Sequence, residues 1–499
     1  MAFLIGGANS LTAGYEIDNS LRVNDDLHHL SLIFDSSETS ANQKKFTASY
    51  WVKLGNAAQF STTTRRWIIT STDAATSTDS IGYGYPAAAK FYYKQGAGNK
   101  AFSTTAVYRD PSAWYNVVVA VDTTDGTADD RVKMWVNGIS QTLIQSNGAL
   151  AENSETNFGN AGDDITATSA DSGNFIHNIN SYYNSTGTQT NFDGYLADIN
   201  FHSGVVGTYL NFGEFNDNGV WIPKEPTLAY NAYSYRLEFK QTGTGADASG
   251  IGADTSGSTN HFAIGQGSGT AAIDVTTDTP TNNFCTLNPL ANALTNPVTV
   301  SEGNLKAVGD SDTWEMISST MGASKGKWYW EAKLTALGSY AHIGVTDDFD
   351  IVSGGLESYF GHTGSGIAFG KGQDATIYHT GISDTSYGTT HAAGNIISVA
   401  LDLDNNFIYF AKNGTYQDYS SATGDPTSGA SGTGGFAITA NTLYIPAVAL
   451  QQATWEVNYG NPSFAISSSN ADADGYGNFE YAVPSGYFSW CTKNLAEYG

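Results

Sequence analysis

The feature that most constrains the fold is a two-residue alternation of apolar and polar side chains along most of the chain. Runs rich in β-branched and aromatic residues follow it, including FTASYWVKL (46–54), WYNVVVAVDTT (114–124) and IISVALDLDNNFIYFAKNG (396–414). Asp125-Gly126 and Asn137-Gly138 are turn sequences beside such runs. Because no long stretch follows helical periodicity, we predict an all-β chain of antiparallel β-sandwiches.

The domain organisation follows from where these runs are dense. At about 150 residues per domain, 499 residues suggest two to four domains. Two strand-rich blocks flank a poorer region that contains five of the eleven prolines and a Gly-rich tract at 242–260. We predict two jelly-roll β-sandwich domains, over 1–213 and 301–499, joined by an extended Gly/Pro-rich connector over 214–300. The second domain includes a C-terminal closing segment.

Charge and hydropathy exclude several classes of partner. The chain has 22 Lys and Arg against 48 Asp and Glu, a net charge of −26, and this acid excess argues against nucleic acid and anionic membranes, which require a basic footprint. Charged residues are only 14%, which predicts a surface of hydroxyls, amides and glycine. No run approaches the roughly 18 to 20 apolar residues of a membrane span. The start lacks the basic segment and apolar run of a signal peptide, so we expect cytoplasmic synthesis without membrane insertion.

Catalytic motifs are weak. Cys285 and Cys491 are too few for a disulfide framework or a cysteine zinc site, and both are expected to be buried thiols. The G-x-S-x-G sequence at 322–326 precedes a strand rather than a helix, which favours a turn over a nucleophile elbow. Glu16-Ile-Asp18 approaches the E-x-D-x-E pattern of β-sandwich glucanases, but Ser20 occupies the third position. We therefore predict that the chain is not an enzyme.

Acidic pairs in loop-like sequence leave two interpretations open. Asp25/Asp26, Asp129/Asp130, Asp163/Asp164 and Asp347/Asp348 are such pairs. A loop Ca²⁺ site built from hard oxygen ligands is one interpretation, and solvated turns are the other.

Aromatic residues supply the candidate binding residues. Tyrosines among Gly, Asn and Ser can stack on apolar faces of a ligand while neighbouring amides and carboxylates bind hydroxyls. The candidates are Tyr83, Tyr85, Tyr92, Tyr93, Tyr182, Tyr183, Asp347, Asp348, Asp350, Tyr378 and Tyr387, and Tyr359 has a similar setting. The alternative is that such tyrosines clamp loops onto the sandwich. Tryptophans inside strand patterns are predicted to be core: Trp51, Trp114, Trp135, Trp328, Trp330 and Trp455.

Several motifs resemble known families. SLRVNDDLHHLSLIF (20–34), KKFTASYWVKL, DRVKMWVNG and FDGYLADINF resemble laminin-G-like (concanavalin A-like lectin) domains. GKWYWEAKL, GIAFGKG, ALDLDNNFIYFAKNG, YIPAVAL and VNYG resemble a SPRY domain. The junction sequences FGEFNDNGVWIPKEP and DTPTNNFCTLNP resemble linking segments of tailed-phage virion proteins, notably of marine phages. The ending FEYAVPSGYFSWCTKNL is similar to the close of phage-type SPRY modules.

This resemblance implies a virion component at the tail or capsid surface, such as a tail fibre or adhesin. Its loops would bind host glycan or protein, its other partners would be virion proteins, and a homo-oligomer, for instance a trimer, is expected. The resemblance implies no catalytic residues, and the Ca²⁺ ligands of laminin-G-like domains find no match here. A purely architectural role in capsid decoration or tail connection is the alternative, and a glycan depolymerase is a third hypothesis.

Overall fold

The computed structural model describes residues 14–24, 29–56, 63–73, 78–96, 99–158, 175–181, 191–265, 274–292, 296–347, 359–361, 368–380, 384–419 and 423–499. Contacts divide the chain between residues 281 and 282 into two compact units. Both are built from antiparallel sheets, and the prediction of an all-β chain is confirmed. Within the described ranges, no helix has the length and hydropathy needed to cross a membrane.

In the part of the first unit that the structure describes, there are eighteen strands. They are β1 (Ser20–Val23), β2 (Leu30–Leu32), β3 (Lys45–Leu54), β4 (Arg66–Asp73), β5 (Thr78–Tyr83), β6 (Phe91–Gln95), β7 (Lys100–Thr104), β8 (Trp114–Asp122), β9 (Val132–Val136), β10 (Ile139–Ser140), β11 (Leu143–Ser146), β12 (Phe175–Ile179), β13 (Gly194–Ser203), β14 (Gly213–Phe215), β15 (Trp221–Pro223), β16 (Tyr235–Leu237), β17 (Ala263–Ile264) and β18 (Asp274–Thr276). Short 3₁₀ helices lie at Ala128–Asp130 and Tyr209–Asn211.

Two eight-stranded sheets of the first unit pack face to face. One has the order β10-β9-β8-β3-β13-β1-β18, with β16 also paired to β13, and the other is β11-β7-β6-β5-β4-β12-β2-β17. Phe46 of β3 meets Tyr93 of β6, its ring centroid 5.5 Å away, in the core between the sheets. The hairpin β14–β15 forms a separate two-stranded sheet.

The stretch 214–300, for which the sequence predicts an extended connector, is divided between the two units. Residues up to 281 belong to the first unit, where β16, β17 and β18 add to the sheets. Asp278 is anchored by a buried ion pair in which Lys53 Nζ lies 2.7 Å from its carboxylate. These strands are two or three residues long, so they contain too few positions to display an alternation that a sequence pattern reveals.

Within the described residues, fourteen strands and one helix form the second unit. They are β19 (Leu287–Asn292), β20 (Thr299–Ser301), β21 (Lys306–Gly309), β22 (Glu315–Ser319), β23 (Lys327–Thr346), β24 (Ala368–Gly372), β25 (Thr376–His379), β26 (Thr385–Ser386), β27 (Ile396–Asp402), β28 (Phe407–Lys412), β29 (Thr415–Tyr416), β30 (Phe436–Ala437), β31 (Ile445–Asn458), β32 (Phe488–Ser489) and α1 (Thr492–Tyr498). A 3₁₀ helix lies at Gly429–Ser431.

The long strand β23 makes this unit a sandwich. Its first half pairs with β27 and its second half with β24, while β31 follows it on the other edge. Irregular register between Leu334 and Ala336 and between Leu337 and Tyr340 interrupts the β23–β31 ladder between these halves. The strands therefore form two layers around a core that includes the buried Trp328, Trp330 and Trp455.

The C-terminal segment is held by two buried carboxylates. Asp472 accepts hydrogen bonds from the backbone of Asp474, Tyr476 and Ser489, from the Ser489 hydroxyl and from the Asn494 amide. Glu331 of β23 accepts bonds from the backbone of residues 480 and 481 and from the Tyr329 hydroxyl. Cys285 and Cys491 are buried free thiols, as predicted.

Candidate functional site

The candidate site lies on the outer face of one layer of the second unit, formed by β22, β31, β23, β24 and β25. Paired residues in antiparallel strands point to the same face, so the register defines rows across it. One row contains Met316, Ala449, His342 and Gly372. The next contains Ser318, Ala447, Gly344, Gly370 and Tyr378. Most of these side chains are small, and they form a buried floor on which the Phe360 ring packs over Gly370.

Large aromatic side chains stand on this floor. We call Trp314, Tyr340, Tyr359 and Tyr378, together with His342 beneath them, the aromatic platform. Ring centroids lie 5.1 Å apart for Trp314 and Tyr340, 5.0 Å for Trp314 and Tyr359, and 5.7 Å for Tyr359 and Tyr378. Tyr340 is 43% exposed, and the other three aromatic residues are half-buried. The platform is therefore a contiguous aromatic surface that solvent reaches.

His342 forms the base of the platform. Its ring stacks on Tyr378 at 4.5 Å and lies 4.6 Å from Trp314. The side chain is buried, and neither ring nitrogen has a hydrogen-bond partner among the described residues. Burial, with a smaller effect of the Lys371 charge, lowers the pKa of His342 to about 3, so the imidazole is neutral at pH 7. A neutral imidazole holds one donor and one acceptor.

The position of Tyr378 depends on two neighbours. Its hydroxyl donates to Asp374 Oδ2 at 2.6 Å, and burial together with this bond raises the pKa of Tyr378. A Cβ on Gly372 would lie 2.6 Å from Asp374 Oδ1 and 2.7 Å from the Tyr378 ring. The glycine therefore lets both side chains lie close to the strand, and Tyr378 stacks on His342 as a result.

Acidic groups surround the platform. Asp312 lies two residues before Trp314, the charges of Asp374 and Asp384 act on Tyr378, and all three carboxylates are exposed. Asp312 accepts hydrogen bonds from the amides of Gln451 and Gln452. On the opposite face of the sheet, burial and the Asp310 charge raise the pKa of Glu315 to about 7.

The nearby cation Lys371 faces away from the platform. It precedes Gly372 on β24, and successive side chains of a strand point to opposite faces. Its ammonium donates to the carbonyls of Tyr387 and Thr389 at 3.3 and 3.1 Å. The platform thus combines aromatic surface, hydroxyls, amides and carboxylates, which can bind a ligand that has both apolar faces and hydroxyl groups.

The structure brings together only some of the residues predicted for the second unit. Tyr359 and Tyr378 belong to the platform. The prediction of Tyr387 as an exposed binding residue is wrong. Tyr387 is 1% exposed, and its hydroxyl donates to the carbonyls of Gln417 and Gly434. Tyr387 therefore holds loops onto the sandwich, which is the alternative interpretation given for these tyrosines. Asp347 follows the far end of β23 near Tyr444, remote from Tyr340 along the strand.

The candidates of the first unit are mostly core residues. Tyr83, Tyr92 and Tyr93 lie in β5 and β6 with no exposed surface, and this corrects their assignment to exposed loops. Tyr85 is half-buried beneath the Arg65 guanidinium, which lies 4.1 Å from its ring centroid. Four further candidates, Tyr182, Tyr183, Asp348 and Asp350, lie outside the described residues.

Sequence reasoning missed Trp314, Tyr340 and His342. Trp314 immediately precedes β22, and the other two lie in the second half of β23. In a strand pattern an aromatic residue most often indicates core. Alternation shows that Tyr340 and His342 share a face, but not that this face lies outside the sandwich.

No metal centre is found in the part of the chain that the structure describes, because no group of three or more His, Cys, Asp or Glu side chains is placed to hold an ion. The predicted acidic pair Asp129/Asp130 lies in a short 3₁₀ helix, where Asp130 contacts Lys133 at 3.4 Å. Other predicted pairs lie wholly or partly outside the described residues.

Two antiparallel β-sandwich units, one with an aromatic platform on its outer face, define the class of this protein. Parts of the chain are similar to solved structures, but these likenesses concern the fold alone. The SPRY domain of human HERC1 is 13% identical over 34% of this chain and 96% of its own, with a TM-score of 0.26. A human SPRY domain is 14% identical over 31% of this chain and 90% of its own, with a TM-score of 0.21.

A third similar structure is the heptameric SAP-like pentraxin from Limulus polyphemus. It is 13% identical over 39% of this chain and 80% of its own, with a TM-score of 0.27. No protein-family model and no curated protein matches the chain. The assignment of the all-β fold rests on the strands described above.

Proposed function

We propose that this chain is a non-enzymatic virion component of a tailed phage, a tail fibre or surface adhesin, that binds host glycan through the aromatic platform. The observation that carries this proposal is the half-exposed cluster of Trp314, Tyr340, Tyr359 and Tyr378 on a floor of small side chains. Contiguous exposed apolar surface in a folded protein marks an interaction site.

The chemistry of the platform suits a sugar better than a purely apolar ligand. Aromatic faces contact the C–H faces of a pyranose ring, while polar groups at the rim bind its hydroxyls. The carboxylate of Asp374 and the amide of Gln451 supply such groups. Stacking on His342 and the hydrogen bond to Asp374 hold the Tyr378 ring in place before the ligand binds, which lowers the entropic cost of binding.

The virion assignment is supported by the sequence resemblance rather than by the platform. The junction sequences and the C-terminal closing segment carry that resemblance. A chain in which only 14% of residues are charged suits a particle exposed to varying salt, because little charge is available for screening. Other virion proteins and a tail or capsid surface location belong to the same proposal.

The test is glycan binding by the full chain, first on a glycan array and then by calorimetry with the retained glycan. Trp314→Ala and Tyr340→Ala should each weaken binding by about tenfold or more, as truncation of a central aromatic contact does. The length of the glycan should stay unchanged after incubation, because the proposal includes no hydrolysis.

Tyr419→Ala is the matched control. Tyr419 is 48% exposed, close to the 43% of Tyr340, but it contacts Tyr387 and Phe436 instead of the platform. Its truncation should leave affinity unchanged. The proposal fails if the wild-type chain retains no glycan, or if the platform variants bind as well as the control. Cleavage abolished by a single Asp or Glu substitution would contradict the non-enzymatic part.

A further inference from the structure

Among the described residues, the charged groups at the edge of the platform are acidic. Asp312, Asp374 and Asp384 are exposed there, and the ammonium of Lys371 is turned to the opposite face by the pleat of β24. The whole chain adds to this field with a net charge of −26. A ligand that carries carboxylates or sulfates therefore meets repulsion at the site, and one without acidic groups does not.

Asp374 has a special place among these carboxylates. It is exposed, yet one oxygen accepts the hydroxyl of Tyr378 at 2.6 Å, and the absence of a Cβ on Gly372 allows this close approach. The residue thus fixes the orientation of a platform ring and also brings a negative charge to its edge. Beneath, the buried His342 ring is neutral at pH 7, because burial lowers its pKa, so it adds no positive charge under the platform.

We propose that the platform is specific for glycans that lack acidic groups, and that Asp374 is the residue that sets this specificity. The inference rests on the proposed glycan-binding function. Asp374 acts in two separable ways: its hydrogen bond positions Tyr378, and its charge repels uronate, sialate or sulfate groups. Neutral sugars and amino sugars carry no negative charge, so Asp374 does not repel them. The experiment below distinguishes which of these two classes binds more tightly.

The experiment compares three oligosaccharides of similar length with the full chain: N-acetylated chitin oligomers, deacetylated chitosan oligomers and alginate oligomers. The alginate oligomer, which carries one carboxylate per residue, should bind about tenfold or more weakly than the neutral one at low salt. Raising the salt concentration should narrow this difference, since exposed charges are then screened. Tighter binding of chitosan than of chitin would identify amino sugars as the preferred ligands.

Variants of Asp374 separate charge from position. Asp374→Asn still accepts the Tyr378 hydroxyl, so it should keep chitin affinity and improve alginate affinity about three- to tenfold at low salt. Asp374→Ala loses the acceptor as well, so it should weaken chitin binding. Gly372→Ala, which crowds Asp374 and Tyr378, should resemble Asp374→Ala. Asp425→Asn removes one exposed charge near Tyr409 on the other layer. It should change neither the chitin affinity nor the ratio of alginate to chitin affinity.

The outcomes distinguish this inference from the function on which it rests. If alginate binds as tightly as chitin, or if Asp374→Asn leaves the alginate-to-chitin ratio unchanged, the specificity inference is wrong. If Trp314→Ala still abolishes binding in that case, the platform remains a glycan site with another selectivity. If none of the three oligosaccharides binds and the array is also empty, the proposed function fails together with the inference.

Discussion

Replacement of Lys53 by Met is expected to destabilise the first unit more than any surface substitution. Lys53 lies on β3, and its Nζ is 2.7 Å from Asp278 Oδ2, with both side chains at most 1% exposed. The other oxygen of Asp278 accepts the indole N–H of Trp114 at 3.2 Å, and its backbone carbonyl accepts the Ser20 hydroxyl at 2.6 Å. Lys53→Met keeps most of the side-chain volume but removes the ammonium beside a buried carboxylate.

The magnitude follows from this burial. Breaking a buried ion pair by removing one partner costs about 3–5 kcal/mol, because the remaining charge stays in a low-dielectric environment. That is a large part of the roughly 5–15 kcal/mol that stabilises a typical domain. The double variant Lys53→Met/Asp278→Asn removes both charges and keeps an acceptor for Trp114. Its cost should fall to about 1–2 kcal/mol, the range of an altered buried hydrogen bond.

The assay is urea denaturation of the full chain, with hydrogen exchange of peptides from 45–54 and 274–281 to report on the first unit separately. Lys133→Met is the matched control, since Lys133 and Asp130 form an exposed pair 3.4 Å apart with side chains about half exposed. It should change stability by less than about 1 kcal/mol. The reasoning is refuted if Lys53→Met is no worse than this control, or if the double variant is as unstable as the single one.

Two further predictions concern buried acids and histidines. Asp472→Ala removes five hydrogen bonds and leaves the buried donors of Ser489 and Asn494 without this acceptor. The second unit should therefore lose about 3–5 kcal/mol of unfolding free energy in the same urea assay, whereas Asp384→Ala at an exposed position should cost under about 1 kcal/mol. Equal losses for the two variants would contradict this prediction. Burial lowers the pKa of His177 to about 3, so its contribution to stability is present above the usual value near 6.5 and is lost as pH falls. Between pH 7 and pH 5 the wild type should therefore lose about 2 kcal/mol more than His177→Phe, and parallel pH profiles would rule this out.

Local sequence patterns are sufficient to predict the strand structure of much of the chain. Alternation assigned each side chain to one of two strand faces, which is why the all-β fold and the buried tryptophans could be predicted. The hairpin of β27 and β28, with its turn after Asp402, lies where the pattern placed it. Period-two patterns encode these features because strand geometry depends on neighbouring residues alone.

Which strands are neighbours, and which face of a sheet meets solvent, depend on packing between distant parts of the chain. Tyr83, Tyr92 and Tyr93 lie among Gly and Ser in sequence, yet sheet packing buries them. The last residues of the first unit are anchored by the ion pair between Lys53 and Asp278, which are far apart in the chain.

The aromatic platform is the clearest case of this limit. Trp314, Tyr340, Tyr359 and Tyr378 come from separate parts of the second unit, and the pairing of β22, β31, β23, β24 and β25 brings them onto one face. An aromatic residue on a strand has the same local pattern whether its face packs inward or outward. Which face is buried depends on the layer that packs against the sheet. Pairing between strands far apart in the sequence is not encoded in local periodicity.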